Sequence, residues 1–342
     1  MESGCILKIC IFGFKPGIGV PTDKFSPWLM FINQLKNAGH ELVNENSIDS
    51  NTICVLNSNN KKILRLCEEK KIPTGNRIII LWEPPSINSK IYSEIARNKY
   101  GKIFTPSKRW VQTDNSEYFL WPQIRGMYKE TYEFENRKNK YIFVGANKFS
   151  YDRRELYSFR RSLIKKDNNK IIDVFGIGWS KNLKYRLKNI IKALINNPFN
   201  FYKIIKTLNY LMFNFKNSHG HCDNKFITAG QYKFALVIEN SNDYVSEKLF
   251  DAIASGCLTF YMGPNLNQMG YDPNLAIEIK GSVKNIIDQL ESVIESKSKI
   301  EIKLILENQK NAFEKINNEN NNIQVFKNLA LSINIYLKEK NE

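Results

Sequence analysis

Residues 232–262 read YKFALVIENSNDYVSEKLFDAIASGCLTFYM, and this stretch constrains the fold more than any other. Tyr232 to Ile238 is an apolar run rich in β-branched and aromatic residues, as expected of a strand buried on both faces. Asn240 to Asp243 are turn formers, and Ser246 is a good N-cap for a helix through Leu249, Phe250, Ile253 and Ala254. Gly256 ends that helix as a C′ residue, and Cys257 to Met262 forms a second apolar strand before Gly263-Pro264. Strands joined through a helix pair in parallel, with a right-handed crossover. Ligands of such sheets sit outside the carboxyl ends of the strands, where this polar loop lies.

Lys248 stands out. A helix N-terminus already carries partial positive charge, so a lysine in the first turn is mildly unfavourable alone. It fits an anion held jointly by the lysine and the unsatisfied N–H groups. Glu247 beside it can accept hydrogen bonds from sugar hydroxyls. Residue types alone fit equally well a capped helix with a surface ion pair.

The 342 residues point to two domains, and 42% hydrophobic with 25% charged content is ordinary for a globular chain. Lys and Arg number 50 against 34 Asp and Glu, a net charge of +16 that favours an anionic partner: nucleotide, nucleic acid or membrane lipid. The six cysteines are scattered with no C-x-x-C pair, and several lie in apolar runs, as reduced core residues of a cytosolic protein do. The start, MESGCILKICIFGF, lacks a basic n-region and is too short to span a bilayer, so neither signal peptide nor transmembrane helix is expected.

Residues 7–14, 52–56 and 77–82 read as strands, with a helix from Trp28 to Lys36 ending at Gly39. This alternation is that of a doubly wound α/β domain. GFKPGIGV (13–20) has neither the G-K-[ST] of a phosphate loop nor G-x-G-x-x-G, and reads as a simple βα turn. The expected division is an N-terminal domain at 1–125, a polar linker at 126–140 and a second α/β domain at 141–342. YIFVGA (141–146) and IIDVFG (171–176) open that domain, and NNENNN (317–322) reads as a polar hinge. Within it, 181–217 is rich in lysine, has no acid, and repeats apolar residues at helical spacing on either side of Pro198. Such a segment suits an anionic membrane surface, though its apolar stripe could equally pack on the core. SHGHCD (218–223) holds His219, His221 and Cys222, but no fourth ligand accompanies them, and a polar loop is the simpler reading.

The stretch YKFALVIENSNDYVSEKLFDAIASGCLTFYMGP resembles the donor-binding motif of the α-1,3-fucosyltransferases of glycosyltransferase family 10, of the bacterial type without a membrane anchor. The matching elements are Tyr232-Lys233-Phe234, Glu239-Asn240-Ser241, Tyr244, Glu247-Lys248 and Gly263. LWEPP (81–85) and YDRRELYSF (151–159) are weaker matches, the second to the family's arginine helix. The loop from Asn240 to Tyr244 is shorter than is usual there, and Ser246 replaces a threonine.

The resemblance implies an α/β, GT-B-like fold: two Rossmann-type domains with a cleft between them. It places a phosphate-binding arginine at Arg153, with Arg154 an equal alternative register. Glu247 would hold the ribose, Lys248 would contact phosphate, Asn240 and Tyr244 would line the donor site, and Glu83 would be the general base. The implied reaction is inverting transfer of L-fucose from GDP-fucose to a hydroxyl of an oligosaccharide, with an N-acetylglucosamine- or glucose-type acceptor, in surface polysaccharide or lipopolysaccharide synthesis. No Asp-x-Asp motif lies near either site, so no metal and no obligatory cofactor beyond the GDP-sugar donor is expected; a divalent cation would at most stimulate. The expected partners are GDP-fucose or a related nucleotide sugar, an oligosaccharide or lipid-linked glycan, and an anionic membrane surface reached through 181–217, with no nucleic acid. The expected location is cytoplasmic, peripheral on the inner face of the membrane. Alternatives are another nucleotide-sugar donor on the same fold, or a basic nucleic-acid-binding protein.

Overall fold

A computed structural model describes residues 6–12, 26–56, 60–81, 92–106, 111, 115–119, 132–180, 182–194, 201–296, 299–319 and 322–341. The chain divides into two units, 1–122 with 320–342, and 123–319.

In the first unit the short apolar runs form strands β1 (Lys8–Ile11), β2 (Glu41–Leu42), β3 (Ile53–Leu56), β4 (Arg77–Ile80), β5 (Lys102–Thr105) and β6 (Ser116–Tyr118). They pair in the order β2-β1-β3-β4-β5-β6, and every described pair is parallel. Helices α1 (Ser26–Asn37), α2 (Lys61–Glu69) and α3 (Glu94–Arg97) connect them. Helix α1 stops where Gly39 takes a φ of +88°, and Asn60 caps α2 by accepting from the Lys62 amide. Both faces are covered, so β3 and β4 read as unbroken buried runs. Cys10, Cys54 and Cys67 sit in the core on one face; burial pushes the Cys10 thiol up to about 12.

The second unit carries β7 (Lys138–Val144), α4 (Tyr157–Lys166), β8 (Ile172–Phe175), α5 (Leu183–Leu194), α6 (Phe201–Met212), α7 (Lys225–Gly230), β9 (Tyr232–Ile238), α8 (Glu247–Ala254), β10 (Leu258–Met262), β11 (Ile277–Glu278), α9 (Val283–Ser296) and α10 (Lys299–Glu319). The order β11-β10-β9-β7-β8 is again parallel throughout. Strand β10 lies in register with β9 from Leu258 opposite Phe234 to Met262 opposite Ile238, as the apolar runs anticipate. Tyr141, Phe234 and Phe260 form an aromatic cluster across three strands, with centroids 5.1 and 5.2 Å from Tyr141. Chain order reverses at β7, which has β8 on one side and β9 on the other. In sheets of this kind ligands bind where the chain order reverses, which here is at the carboxyl ends of β7 and β9.

Two boundaries differ from the sequence expectation. Strand β7 begins at Lys138, inside the span read as linker. Residues 320–342, expected with the second domain, belong to the first unit. Helix α11 (Asn322–Asn341) buries Phe326, Leu329, Ala330, Ile333 and Leu337 in the same core as Phe31, Ile32 and Leu35 of α1. Polar contacts fix its register: His40 Nε2 to Asn334 Oδ1 at 2.7 Å, and Tyr336 donating to the Gly75 carbonyl at 2.9 Å. Phe326 is fully buried with its ring 6.1 Å from that of Phe31. Phe326→Ala should destabilise the first unit by about 3–5 kcal/mol, seen as a lower midpoint in denaturant unfolding.

Candidate functional site

The loop after β9 is held from both sides. Glu239 is completely buried at the end of the strand, where a carboxylate must find donors. It accepts from the Ser246 amide at 2.7 Å and from Ser246 Oγ at 2.6 Å. Ser246 in turn caps α8, its Oγ taking the Lys248 amide at 3.4 Å. Lys248 Nζ donates to the same oxygen at 2.7 Å, lying 3.8 Å from Glu239 and 4.0 Å from Glu247. One buried carboxylate thus fixes the helix start, and the odd lysine is its counter-charge.

Gly263, at the end of β10, is required by the same carboxylate. A Cβ there would lie 2.8 Å from Glu239 Cγ and would collide with the Tyr261 hydroxyl. That hydroxyl is buried without a hydrogen-bond partner among the described residues. Burial, with Glu239 next to it, pushes the Tyr261 phenol well above its usual 10.

The loop's other side is clipped to the turn that precedes α4. Leu156 N donates to Asn240 O at 3.0 Å, Asn242 N donates to Arg154 O at 3.1 Å, and Glu155 bridges Ser241 in antiparallel fashion. The Arg154 guanidinium joins Asp152 at 2.6 Å to Asp243 at 2.8 Å. Burial would raise the Asp152 carboxyl, but hydrogen bonds from the Arg154 side chain and amide hold it below the usual range. Arg153 is exposed and forms no ion pair among the described residues. The helix expected to carry these arginines begins only at Tyr157, so both sit in a turn.

The helix proper carries Arg160 and Arg161, which reach the ends of β9 and β7. Arg160 is buried, donates to the Ile238 carbonyl and to Asn240 Oδ1 (3.1 Å), and lies 5.0 Å from the Tyr157 ring centroid. Burial lowers its pKa, an effect that Tyr157, Glu239, Glu155 and Glu247 oppose. Arg161 is lowered to about 10, again first by burial, and binds Asn147 Oδ1 at 3.1 Å and Lys148 O at 2.9 Å. Its side chain ties α4 to the loop after β7.

Asn240, Tyr244, Glu247, Lys248 and Arg153 or Arg154 are therefore gathered around one loop. Tyr244 is buried and Glu247 half-buried. Glu83 lies outside the described residues, three positions beyond the end of β4 at Ile80. Glu239 and Arg160 were missed as organising residues. An acid closing an apolar strand was the available signal for Glu239; nothing local marks Arg160.

His219 stacks on Phe175 at 4.7 Å and lies 3.8 Å from Asp173, while His221 and Asp223 are exposed. No group of three or more His, Cys, Asp or Glu side chains among the described residues could hold a metal ion.

No protein-family model and no curated protein sequence matches this chain. Solved structures do. An α1,3-fucosyltransferase aligns over 94% of this chain and 92% of its own, at 13% identity and a TM-score of 0.51. The DNA-modifying enzyme β-glucosyltransferase aligns over 96% and 99%, at 13% identity and a TM-score of 0.54. TarM aligns over 90% of this chain and 58% of its own, at 11% identity and 0.50. The fold is GT-B. In this GT-B chain the loop at the end of β9 occupies the carboxyl edge of the second sheet, beside its switch point.

Ser246→Ala removes one donor to buried Glu239, the helix cap and the acceptor of Lys248 together. It should cost about 1–3 kcal/mol in thermal or chemical unfolding.

Proposed function

We propose that the chain is an inverting glycosyltransferase of the family 10 type, transferring L-fucose from GDP-fucose to an oligosaccharide hydroxyl, on an N-acetylglucosamine- or glucose-type acceptor in surface polysaccharide or lipopolysaccharide synthesis. The observation that carries the reading is the Ser246-capped start of α8 bearing Glu247 and Lys248, with the arginine turn clipped to the loop before it. A diphosphate needs positive charge and N–H donors without a base, which this arrangement supplies. Lys248 would exchange its contacts with Ser246 and Glu239 for a phosphate oxygen. Arg153 is the better placed of the two arginines for phosphate, because Arg154 already links Asp152 to Asp243. Glu247 would accept from the ribose, and Asn240, oriented by Arg160, and Tyr244 would line the donor site.

Chemistry requires the acceptor oxygen to bond the anomeric carbon as the bond to the diphosphate breaks on the opposite face. The acceptor proton goes to a carboxylate, for which Glu83 is proposed, and the negative charge leaves with GDP.

Glu83→Gln should lower transfer by about 10²–10⁴ while leaving GDP affinity near wild type. Activity within a few-fold of wild type would remove Glu83 from this role. Lys248→Ala and Arg153→Ala should each weaken GDP binding by about 1.5–3 kcal/mol in calorimetry. Arg154→Ala should instead lower thermal stability by unclipping the loop. Titration with GDP-fucose, GDP-mannose and UDP-sugars tests the donor: GDP-fucose should bind tightest, and preference for a UDP-sugar would overturn the assignment.

A further inference from the structure

Helix α6 has its faces reversed, and α5 beside it exposes a second apolar stripe. On an ordinary surface helix the apolar stripe packs inward and lysines point to water. In α6 it is Lys203 and Lys206 that are buried, at 9% exposure each, while Ile204, Ile205, Leu208 and Met212 are exposed, Met212 at 73%. Lys206 forms an ion pair of 2.6 Å with Glu155, and Lys203 lies 5.3 Å from the Tyr151 ring centroid. Tyr151 Oη and Thr207 Oγ1 are 2.8 Å apart, adding a second polar tie on the same inner face.

Helix α5 shares this at one cation only, since its Ile190 and Ala193 are buried and its lysines are exposed. Arg186 is fully buried and donates to the carbonyls of Tyr210 and Leu211 at 3.0 and 2.7 Å, fastening α5 to the end of α6. Outward, Leu183, Leu187 and Ile191 form an exposed apolar stripe at i, i+4 and i+8. Lys184, Lys188 and Lys192 form an exposed stripe beside it at the same spacing. No acid occurs anywhere in 181–217.

Burying three cations while leaving this many large apolar side chains in water is unfavourable unless the outer face is covered in use. We propose that the outer face of α5 and α6 lies on an anionic lipid bilayer, its Leu, Ile and Met side chains in the acyl boundary and its lysines among the headgroups. The lysine stripe without any acid selects anionic lipid, and apolar side chains beside lysines are the composition of interfacial helices. Among the described residues no helix is long and apolar enough to cross a membrane, so the contact is with one leaflet. The inference stands apart from the donor reading, since none of these residues belongs to the loop after β9.

Co-sedimentation of the full chain with vesicles tests it, comparing pure phosphatidylcholine with an equal mixture of phosphatidylcholine and phosphatidylglycerol. Binding is expected to the anionic vesicles alone, and to weaken as salt is raised. Each lysine is worth about fivefold in partitioning, so the triple variant K184E/K188E/K192E should lose at least about 100-fold. L187S/I191S/L208S should lose the salt-resistant part. Both variants should keep the wild-type melting temperature and GDP affinity, because every changed side chain is exposed. Absence of binding to anionic vesicles at low salt overturns the proposal. So does binding that both variants retain in full, which would place the contact elsewhere. A dimer in light scattering that L187S/I191S/L208S dissolves also overturns it, making the face an interface between copies of this chain. Retardation of DNA without vesicle binding would likewise assign the lysine stripe to nucleic acid.

Discussion

The buried carboxylate of Glu239 is the interaction on which the candidate site depends. A fully buried carboxylate is costly unless it is hydrogen-bonded and paired, and Ser246 and Lys248 do both. That requirement sets where the loop after β9 ends and where α8 begins, and it aims the helix start at the sheet's carboxyl edge. It also explains why Gly263 has no side chain, since the space a Cβ would need is taken by Glu239 and Tyr261. An ion pair of this kind contributes little net stability over an apolar substitute, but removing one partner would leave a buried charge uncompensated.

The second constraint comes from the arginines. Arg154 and the backbone bonds of 154–156 clip the loop to the turn before α4, while Arg160 reaches across the switch point to Asn240. The loop is thereby fixed by two strands and two helices of one unit. A loop held this way is preorganised, which reduces the ordering cost of binding a ligand. The same turn receives α6 through the Lys206–Glu155 pair, so α6 and the loop share a support.

Much of this was legible in the residues. Strand β9, the Ser246 cap, helix α8, its end at Gly256 and strand β10 follow from an apolar run, a capping hydroxyl and a glycine with a φ of +73°. Strands β2 and β11, two residues each, carry too little pattern to be read and exist only because neighbouring strands supply partners. The return of α11 to the first unit depends on contacts with α1 across nearly the whole chain, which periodicity cannot report. The family's motif implies a helix at the two arginines, but 153–154 form a turn, which the backbone bonds to Asn240 and from Asn242 hold against the loop. In α5 and α6 the spacing revealed an apolar stripe but not its direction. Inward lysines are unexpected until Glu155 and Tyr151 are seen waiting for them. Glu83 belongs to a segment outside the described residues, and its role rests on the motif alone.

The central claim is that a nucleotide diphosphate binds at the start of α8. Amide hydrogen exchange with and without GDP-fucose tests it most directly, because the first-turn N–H groups have no intrahelical acceptors. The account predicts that the amides of Glu247, Lys248 and Leu249, with those of the 240–243 loop, become protected when the nucleotide sugar is added. Protection confined to other segments, with the start of α8 unchanged at saturating ligand, would contradict it.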